Sequence, residues 1–348
     1  MNFKIKNIKI GNNCPVFIIA ELSGNHNQSF SIAKKTIKAI KEAGADAVKL
    51  QTYTADTITL NSRKKYFLVK DGSVWSGNNL YELYKKAYTP WEWQPKLKKY
   101  AEKLGLICFS SPFDHTAVDF LEKMHVPAYK VASYEITDIP LIKYIASKSK
   151  PVIISTGIAT VDDIKDAIKA CRKVGNNQIA ILKCISSYPA PIEEINLLTI
   201  SDIQKKFKVV VGISDHTMGS TASIAACALG AKIVEKHFIF DRNMGGPDSH
   251  FSMEPAEFSE MVQAIRDVEL ALGKVSYELT PEMKKARWNR RSLFIVEDIK
   301  KGEVLTEKNV RSIRPGFGLA PKYYSQVLGK KAQQDIKRGS PLKDNLYY

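Results

Sequence analysis

Two histidines in this chain could share one metal ion. His216, in Gly212-Ile-Ser-Asp-His-Thr217, and His237, in Lys232-Ile-Val-Glu-Lys-His-Phe238, each follow a short apolar run of β character, Val209 to Ile213 and Ile233 to Val234. If these runs are consecutive parallel strands, both imidazoles leave one rim about a strand spacing (~4.8 Å) apart. Either histidine alone reads as an ordinary core or rim residue. Together they leave several coordination positions open, as a Lewis acid requires, and suit Mn²⁺, Fe²⁺, Co²⁺ or Zn²⁺ better than Ca²⁺.

Other apolar runs also end in polar groups: Glu21, Lys49 with Gln51, Ser110 with Ser111, Lys130 with Ser133 and Glu135, Ser155, Lys183 and Ser214. Two lysines beside serine hydroxyls make a phosphate or carboxylate site. Two carboxylates, Glu21 and Glu135, on opposite sides of the same mouth could move protons to and from a bound sugar hydroxyl, although each also reads as salt-bridged structure. Asp215 could orient a ligating histidine. Asp248, in Gly245-Gly-Pro-Asp-Ser249, could contact a ligand or cap a turn. His26, in Ser23-Gly-Asn-His-Asn27, could be a third metal ligand if the first and eighth strands adjoin, but its Gly and Asn neighbours fit a plain turn equally well.

The elements that must position these residues form a regular series. Strands are expected at Val16 to Ala20, Ala47 to Gln51, Leu106 to Ser110, Ala128 to Val131, Val152 to Ser155, Ile179 to Lys183, Val209 to Ile213 and Lys232 to His237. Helical patterns separate them, among them Ser31 to Ala43, Trp91 to Leu104, Thr116 to Met124, Val161 to Val174 and Glu257 to Leu272. Eight β/α units in about 255 residues predict a TIM (β/α)8 barrel, whose sites lie at the carboxyl ends of the strands. A doubly wound sheet is the alternative, without its glycine-rich phosphate fingerprint. Phe3 to Ile10 reads as a hairpin closing the barrel bottom, and Thr52 to Pro90 as a substrate-covering insertion. The expected organisation is a catalytic barrel over 1–272, a linker over 273–289 and a small β-rich domain over 290–348. Within that tail Asp298-Ile-Lys-Lys-Gly-Glu-Val-Leu305 recurs as Asp335-Ile-Lys-Arg-Gly-Ser-Pro-Leu342, which predicts pseudo-twofold halves.

The bulk properties narrow the function class. At 348 residues, 44% hydrophobic and 25% charged, the chain is an ordinary globular protein with room for a sizeable core. The net charge of +16 is spread along helical segments and accompanies no nucleic-acid motif, so we expect a lysine-rich surface or a field attracting an anionic substrate, and no nucleic-acid partner. Five scattered cysteines, Cys14, Cys108, Cys171, Cys184 and Cys227, form no C-x-x-C pair and indicate neither a disulfide frame nor a thiolate zinc site. No apolar run approaches the ~18 residues of a membrane span, and Met1-Asn-Phe-Lys-Ile-Lys6 has no signal-peptide core, so a cytoplasmic protein without a membrane partner is expected.

The ordered motifs Phe17-Ile-Ile-Ala-Glu-Leu-Ser-Gly-Asn-His26, Lys49-Leu-Gln-Thr52, Ser110-Ser-Pro-Phe113, Ala128-Tyr-Lys-Val-Ala-Ser-Tyr-Glu135, Ser155-Thr-Gly157, Tyr188-Pro189, Gly212 to Thr217 and Glu235-Lys-His-Phe238 resemble the sialic acid synthases. The resemblance covers the whole chain, and the tail with Arg314-Pro-Gly-Phe-Gly318 looks like that family's antifreeze-like (SAF) domain. It implies condensation of phosphoenolpyruvate with an open-chain N-acetylated sugar, with C–O cleavage and release of phosphate. It further implies a divalent metal on His216 and His237, Mn²⁺ first with Mg²⁺ or Co²⁺ as alternatives. Lys49, Lys130, Ser133, Ser155, Ser214 and Ser111 would bind phosphoenolpyruvate. Glu21 and Glu135 would act at the reacting centre, and Gln51, Tyr188 and Asp248 would bind or support the sugar. Arg314 would reach the partner's site and contact the N-acetyl group in a domain-swapped homodimer.

Two departures bear on the sugar. Members that use N-acetylmannosamine carry an Asn where this chain has Trp75, and another where it has Ser186. A less polar pocket suits a 6-deoxy sugar, whose methyl group replaces a hydroxyl. With Gln51-Thr-Tyr-Thr54, Leu80-Tyr-Glu-Leu83 and Arg291-Ser-Leu293, the chain most resembles the branch of the family that makes pseudaminic acid from 2,4-diacetamido-2,4,6-trideoxy-L-altrose. A mannose-type acceptor, giving N-acetylneuraminate or legionaminate, is the alternative.

Overall fold

The computed structural model describes residues 1–69, 75–77 and 79–348; residues 70–74 and 78, inside the expected insertion, lie outside the described residues. By Cα proximity the chain divides into two compact units, Met1–Gly273 and Lys274–Tyr348. In the first, a hairpin of β1 (Asn2–Ile5) and β2 (Ile8–Gly11) precedes eight parallel strands: β3 (Phe17–Glu21), β4 (Ala47–Thr52), β5 (Ile107–Pro112), β6 (Tyr129–Val131), β7 (Val152–Ser155), β8 (Ile179–Cys184), β9 (Val210–Asp215) and β10 (Ile233–His237). They close in sequence order, β10 pairing with β3. This is the (β/α)8 barrel that the alternation of strand and helix patterns predicts.

The strands form where the sequence concentrates β-branched residues, and they are buried on both faces because helices cover the barrel. The helices start where a side chain can take their free N–H groups. Ser29 caps Phe30–Glu42, Asp114 caps His115–Lys123, and Thr160 with Asp163 forms a capping box on Val161–Lys173. Phe3, Ile5 and Ile10 of the hairpin are buried in the same hydrophobic core as the barrel. No helix among the described residues is long and apolar enough to cross a membrane.

The second unit opens with a short helix, Pro281–Ala286, inside the stretch expected as a linker. Its sheet pairs β11 (Ser292–Ile295) with β12 (Val310–Ile313). The near-repeat is structural. Asp298 takes the Lys337 ammonium at 2.8 Å and the Arg338 N–H at 2.8 Å, while Asp335 takes Lys300 at 2.8 Å and the Lys301 N–H at 2.9 Å. Ile299 and Ile336 exchange both backbone hydrogen bonds at the centre of these pairs. Each half thus caps the other about a local twofold, around a core that includes Leu293, Ile295, Leu305, Val310 and Leu342.

Register sets which side chains face inward. Glu21 lies opposite Lys49, Glu235 opposite Ser214, and His237 opposite Glu21. This alignment depends on Gly212 in β9, where an added Cβ would lie 2.3 Å from the Ile233 carbonyl oxygen and 2.7 Å from Leu182. Gly212→Ala is therefore expected to push β9 off β10 and destabilise the barrel by ~1–3 kcal/mol, seen as an earlier transition in urea or thermal unfolding.

Candidate active site

The alternation of a β-strand sends every second side chain into the barrel mouth. On β4 these are Lys49 and Gln51, on β9 and just beyond it Ser214 and His216, and on β10 Glu235 and His237. Together with Glu21, Lys130, Ser133, Glu135, Ser155, Tyr188, Asp248 and Trp75 they line one cavity of about 570 Å³. Ser111, in register with Gln51, is buried with no partner for its hydroxyl and is not among the lining residues. Arg314 is exposed on the second unit.

The cavity floor is a buried set of four ions. Lys49 Nζ lies 2.8 Å from Glu235 Oε1 and 3.0 Å from Glu21 Oε1, and Lys130 Nζ lies 3.7 Å from Glu235 Oε1. None of the four is more than 3% exposed. Removing such ions from water costs several kcal/mol each, so the cluster is maintained only because each charge faces an opposite one. Burial would lift the Glu21 pKa, but Lys49, His237 and a 2.8 Å hydrogen bond from Gln51 outweigh it and hold the carboxylate far below its usual range. Burial would strip Lys49 of its proton; Glu21 and Glu235 more than reverse this. Lys130 is different, because burial with the nearby Lys49 charge lowers its pKa against the pull of Glu235. Its ammonium donates to Ser155 Oγ at 2.6 Å and to the Val131 carbonyl at 3.0 Å.

Glu135 behaves oppositely to Glu21. Burial raises its pKa to about 7, only partly offset by a backbone hydrogen bond and Lys130. Its Oε2 is buried with no hydrogen-bond partner, so it can take a group from the cavity. The mouth thus holds Glu21 locked as a carboxylate and Glu135 poised to exchange a proton near neutral pH.

The histidine rings lie 5.3 Å apart, centroid to centroid. His216 Nδ1 meets the Ile185 carbonyl at 2.9 Å, which requires the proton on Nδ1 and leaves the Nε2 lone pair free for a metal. His237 Nε2 lies 3.2 Å from Glu21 Oε2, and its buried Nδ1 has no protein partner. Two imidazoles, one with its tautomer fixed and one with an orphaned nitrogen, fit a divalent ion. Among the described residues no cluster of three or more His, Cys, Asp or Glu side chains is arranged to hold one, so further ligands would be water or substrate. The Tyr188 ring lies 4.4 Å from His216, tilted by 42°, and Phe251 packs 5.0 Å from His237. Trp75 lies 5.3 Å from the Tyr188 ring and donates Nε1–H to the Pro247 carbonyl at 2.8 Å.

Several sequence-based expectations change. His26 is not a third ligand: Nε2 engages Thr89 Oγ1 at 3.1 Å, Nδ1 accepts the Gln28 N–H at 3.1 Å, and burial lowers its pKa to about 4. It is a buried residue that ties down the turn after β3. Asp215 does not orient His216, since it faces outward and binds Lys236 at 2.9 Å, Ser223 at 2.6 Å and Thr217; the Ile185 carbonyl takes that role. Asp248 accepts a short hydrogen bond from Ser23 while lining the cavity. Ser110 bonds Thr52 at 2.6 Å, and Lys183 contacts the Cys184 carbonyl at 3.3 Å, so neither joins the mouth. Glu235, the anion shared by both lysines, is a site residue that the strand-end pattern alone does not mark. The available signal was its spacing two residues before His237, which puts both on one face.

Residues 36–277 match the NeuB family and residues 290–346 match the SAF domain. The chain is 49% identical to a pseudaminic acid synthase of Helicobacter pylori, over 94% of this chain and 96% of that one. It is 48% identical to a pseudaminic acid synthase of Campylobacter jejuni, over 94% and 95%. The crystal structure of an N-acetylneuraminic acid (sialic acid) synthetase from Leptospira borgpetersenii superposes with a TM-score of 0.74 at 30% identity, covering 82% of this chain and 95% of that one.

The outward pair gives a stability test. Burial would raise the Asp215 pKa, yet Lys236 and the hydroxyls of Ser223 and Thr217 hold it below its usual value. Asp215→Ala leaves the Lys236 ammonium buried without its counter-ion, and a loss of ~3–5 kcal/mol in denaturant unfolding is expected.

Proposed function

Because the chain belongs to the NeuB family, we propose that this enzyme condenses phosphoenolpyruvate with 2,4-diacetamido-2,4,6-trideoxy-L-altrose and water, giving pseudaminic acid and phosphate. The observation that carries the reading is the pair of buried ammonium groups, Lys49 and Lys130, held by Glu21 and Glu235 on the floor of the same cavity that the two histidines line. One end of the cavity suits a small polyanion, and the other an electrophilic carbonyl. The relatives at 49% and 48% identity, both named pseudaminic acid synthase, support this choice of sugar.

Phosphoenolpyruvate would lie against Lys49 and Lys130 with the hydroxyls of Ser133, Ser155 and Ser214 as further donors. Its C3 bonds to the sugar aldehyde carbon, water adds at C2, and the C2–O bond to phosphorus breaks. The two protons of that water end on the new hydroxyl and on the released phosphate. Glu135 is the group to carry a proton through the cavity, because its carboxyl sits near 7 with an unpartnered oxygen. Glu21 stays ionised and fixes Lys49, Gln51 and His237 in place. Trp75 and Tyr188 exclude bulk water from the histidine side. A divalent ion on His216 and His237, Mn²⁺ first with Mg²⁺ or Co²⁺ as alternatives, would supply Lewis-acid polarisation of the aldehyde.

The proposal extends to assembly. Arg314 and the 64%-exposed Phe317 stand on a loop of the second unit tied down by the Ser292 hydroxyl to the Pro315 carbonyl at 2.6 Å and by the Gly316 N–H to the Trp288 carbonyl at 2.8 Å. A rigid exposed arginine is suited to serve the N-acetyl group in another copy's site, as a domain-swapped homodimer would have it. We place the reaction in the cytoplasm, where phosphoenolpyruvate is made; the five free cysteines accord with a reducing compartment.

Phosphoenolpyruvate labelled with ¹⁸O at the bridging position should yield labelled phosphate and, with the diacetamido sugar, a product of pseudaminic acid mass. Faster turnover of N-acetylmannosamine would overturn the assignment of the sugar. For the proton step, Glu135 is protonated below its pKa and cannot accept a proton. The profile of kcat/KM should therefore fall about tenfold per pH unit below pH ~7. Glu135→Gln should lower kcat by ~10²–10⁴ and abolish that limb.

A further inference from the structure

The helix Leu80–Ala87 carries its apolar residues at 80, 83, 84 and 87, the spacing of a stripe meant for burial. Yet none of its residues is buried. Leu80, Leu83, Tyr84 and Ala87 line the cavity, while Glu82, Lys85 and Lys86 are exposed. The stripe faces the substrate chamber where another helix would face a core.

This wall is held in place. The Asn79 side chain caps the helix at the Tyr81 N–H (2.8 Å), and the Tyr81 hydroxyl donates to Asp56 at 3.1 Å. Gln28 Nε2 ties down the other end through the carbonyls of Lys86 (3.0 Å) and Tyr88 (2.6 Å). Gly24 lets the helix approach so closely that a Cβ there would lie 3.3 Å from the Ala87 carbonyl oxygen. Beside the leucines, Tyr84 packs edge-on to Tyr53 at 5.6 Å, and Tyr53 edge-on to Phe113 at 5.1 Å, all three also lining the cavity. Among the described residues the helix side chains that line the cavity carry one polar group, the Tyr84 hydroxyl, and no carboxylate, amide or cation.

We propose that this helix, through Leu80 and Leu83, is the specificity wall that receives the methyl-terminated end of the sugar. The inference rests on the reading of the cavity as a sugar synthase site. With the aldehyde at the histidines, the far end of the six-carbon chain must meet a different surface. Leucine side chains gain by covering a C6 methyl and offer no partner to a C6 hydroxyl, which would lose its water on entry. The apolar selection assigned to Trp75 from the sequence is then shared: Trp75 closes the histidine side, and the helix reads the tail.

The test uses two matched acceptor pairs with the full-length enzyme: 2,4-diacetamido-2,4,6-trideoxy-L-altrose with its 6-hydroxy counterpart, and N-acetylmannosamine with its 6-deoxy counterpart. Wild type should favour the 6-deoxy member of each pair it turns over. Leu83→Asn should lower kcat/KM for that member by about 10- to 100-fold and narrow the preference at least tenfold, with the KM for phosphoenolpyruvate within about twofold. Leu83→Met should keep the preference. Equal loss on both members, or an unchanged preference, would overturn the wall; should Leu83→Asn fail to fold, Leu80→Ser is judged by the same ratios. A wild-type preference for N-acetylmannosamine over the diacetamido sugar would instead overturn the proposed function, leaving the wall to be decided within the N-acetylmannosamine pair.

Discussion

The site depends on one electrostatic constraint: two lysines and two glutamates share a buried barrel floor, where each ammonium is held against a carboxylate. Glu235 is the centre of this arrangement, because one of its oxygens lies between the Lys49 and Lys130 ammonium groups and also accepts the Ser214 hydroxyl at 3.1 Å. Such a cluster is a poor source of stability, since desolvation of four ions offsets the attraction among them. Its value lies in holding two cations ready where an anion can reach them. Its second glutamate oxygen is buried without a partner, which marks the floor as arranged for more than its own pairing.

From that floor the two functional halves of the cavity diverge. Toward β9 and β10 the aromatic rings of Tyr188 and Phe251 fix the imidazoles, and the backbone carbonyl of Ile185 chooses the tautomer of His216. Toward the segment after β4 the lining turns apolar, with Tyr53, Leu83 and Tyr84 in place of ions. Glu135 stands between these regimes, far enough from the paired charges that burial dominates its ionisation. Glu21 and Glu135 thus acquire different chemistry from their surroundings alone.

Barrel geometry explains why such residues meet. Closure of β10 on β3 brings residues far apart in the chain together, so that His237 faces Glu21 and Glu235 reaches Lys49, 186 positions away. The same alternation sends Lys236 and Asp215 outward into a separate buried ion pair. Two layers of charge are therefore stacked on β9 and β10, one serving the cavity and one the packing beneath the helices.

Much of this was legible in the sequence. Eight β-branched runs separated by capped helical patterns determine a closed parallel barrel, because few other folds bury so many apolar strands on both faces. The order of strand-end residues marked the lysines, serines, carboxylates and paired histidines, and the tail repeat at Asp298 and Asp335 announced its twofold. What tertiary structure alone decided was direction and partnership. Whether Ser110 reaches the mouth or bonds Thr52, whether Asp215 serves His216 or Lys236, and whether His26 is a ligand or a tied turn residue depend on strand register and on groups distant in the chain. The ionisation of Glu21 and Glu135 was equally beyond the sequence, since a pKa is set by burial and neighbouring charge. Composition names the residue; only the folded surroundings fix its charge.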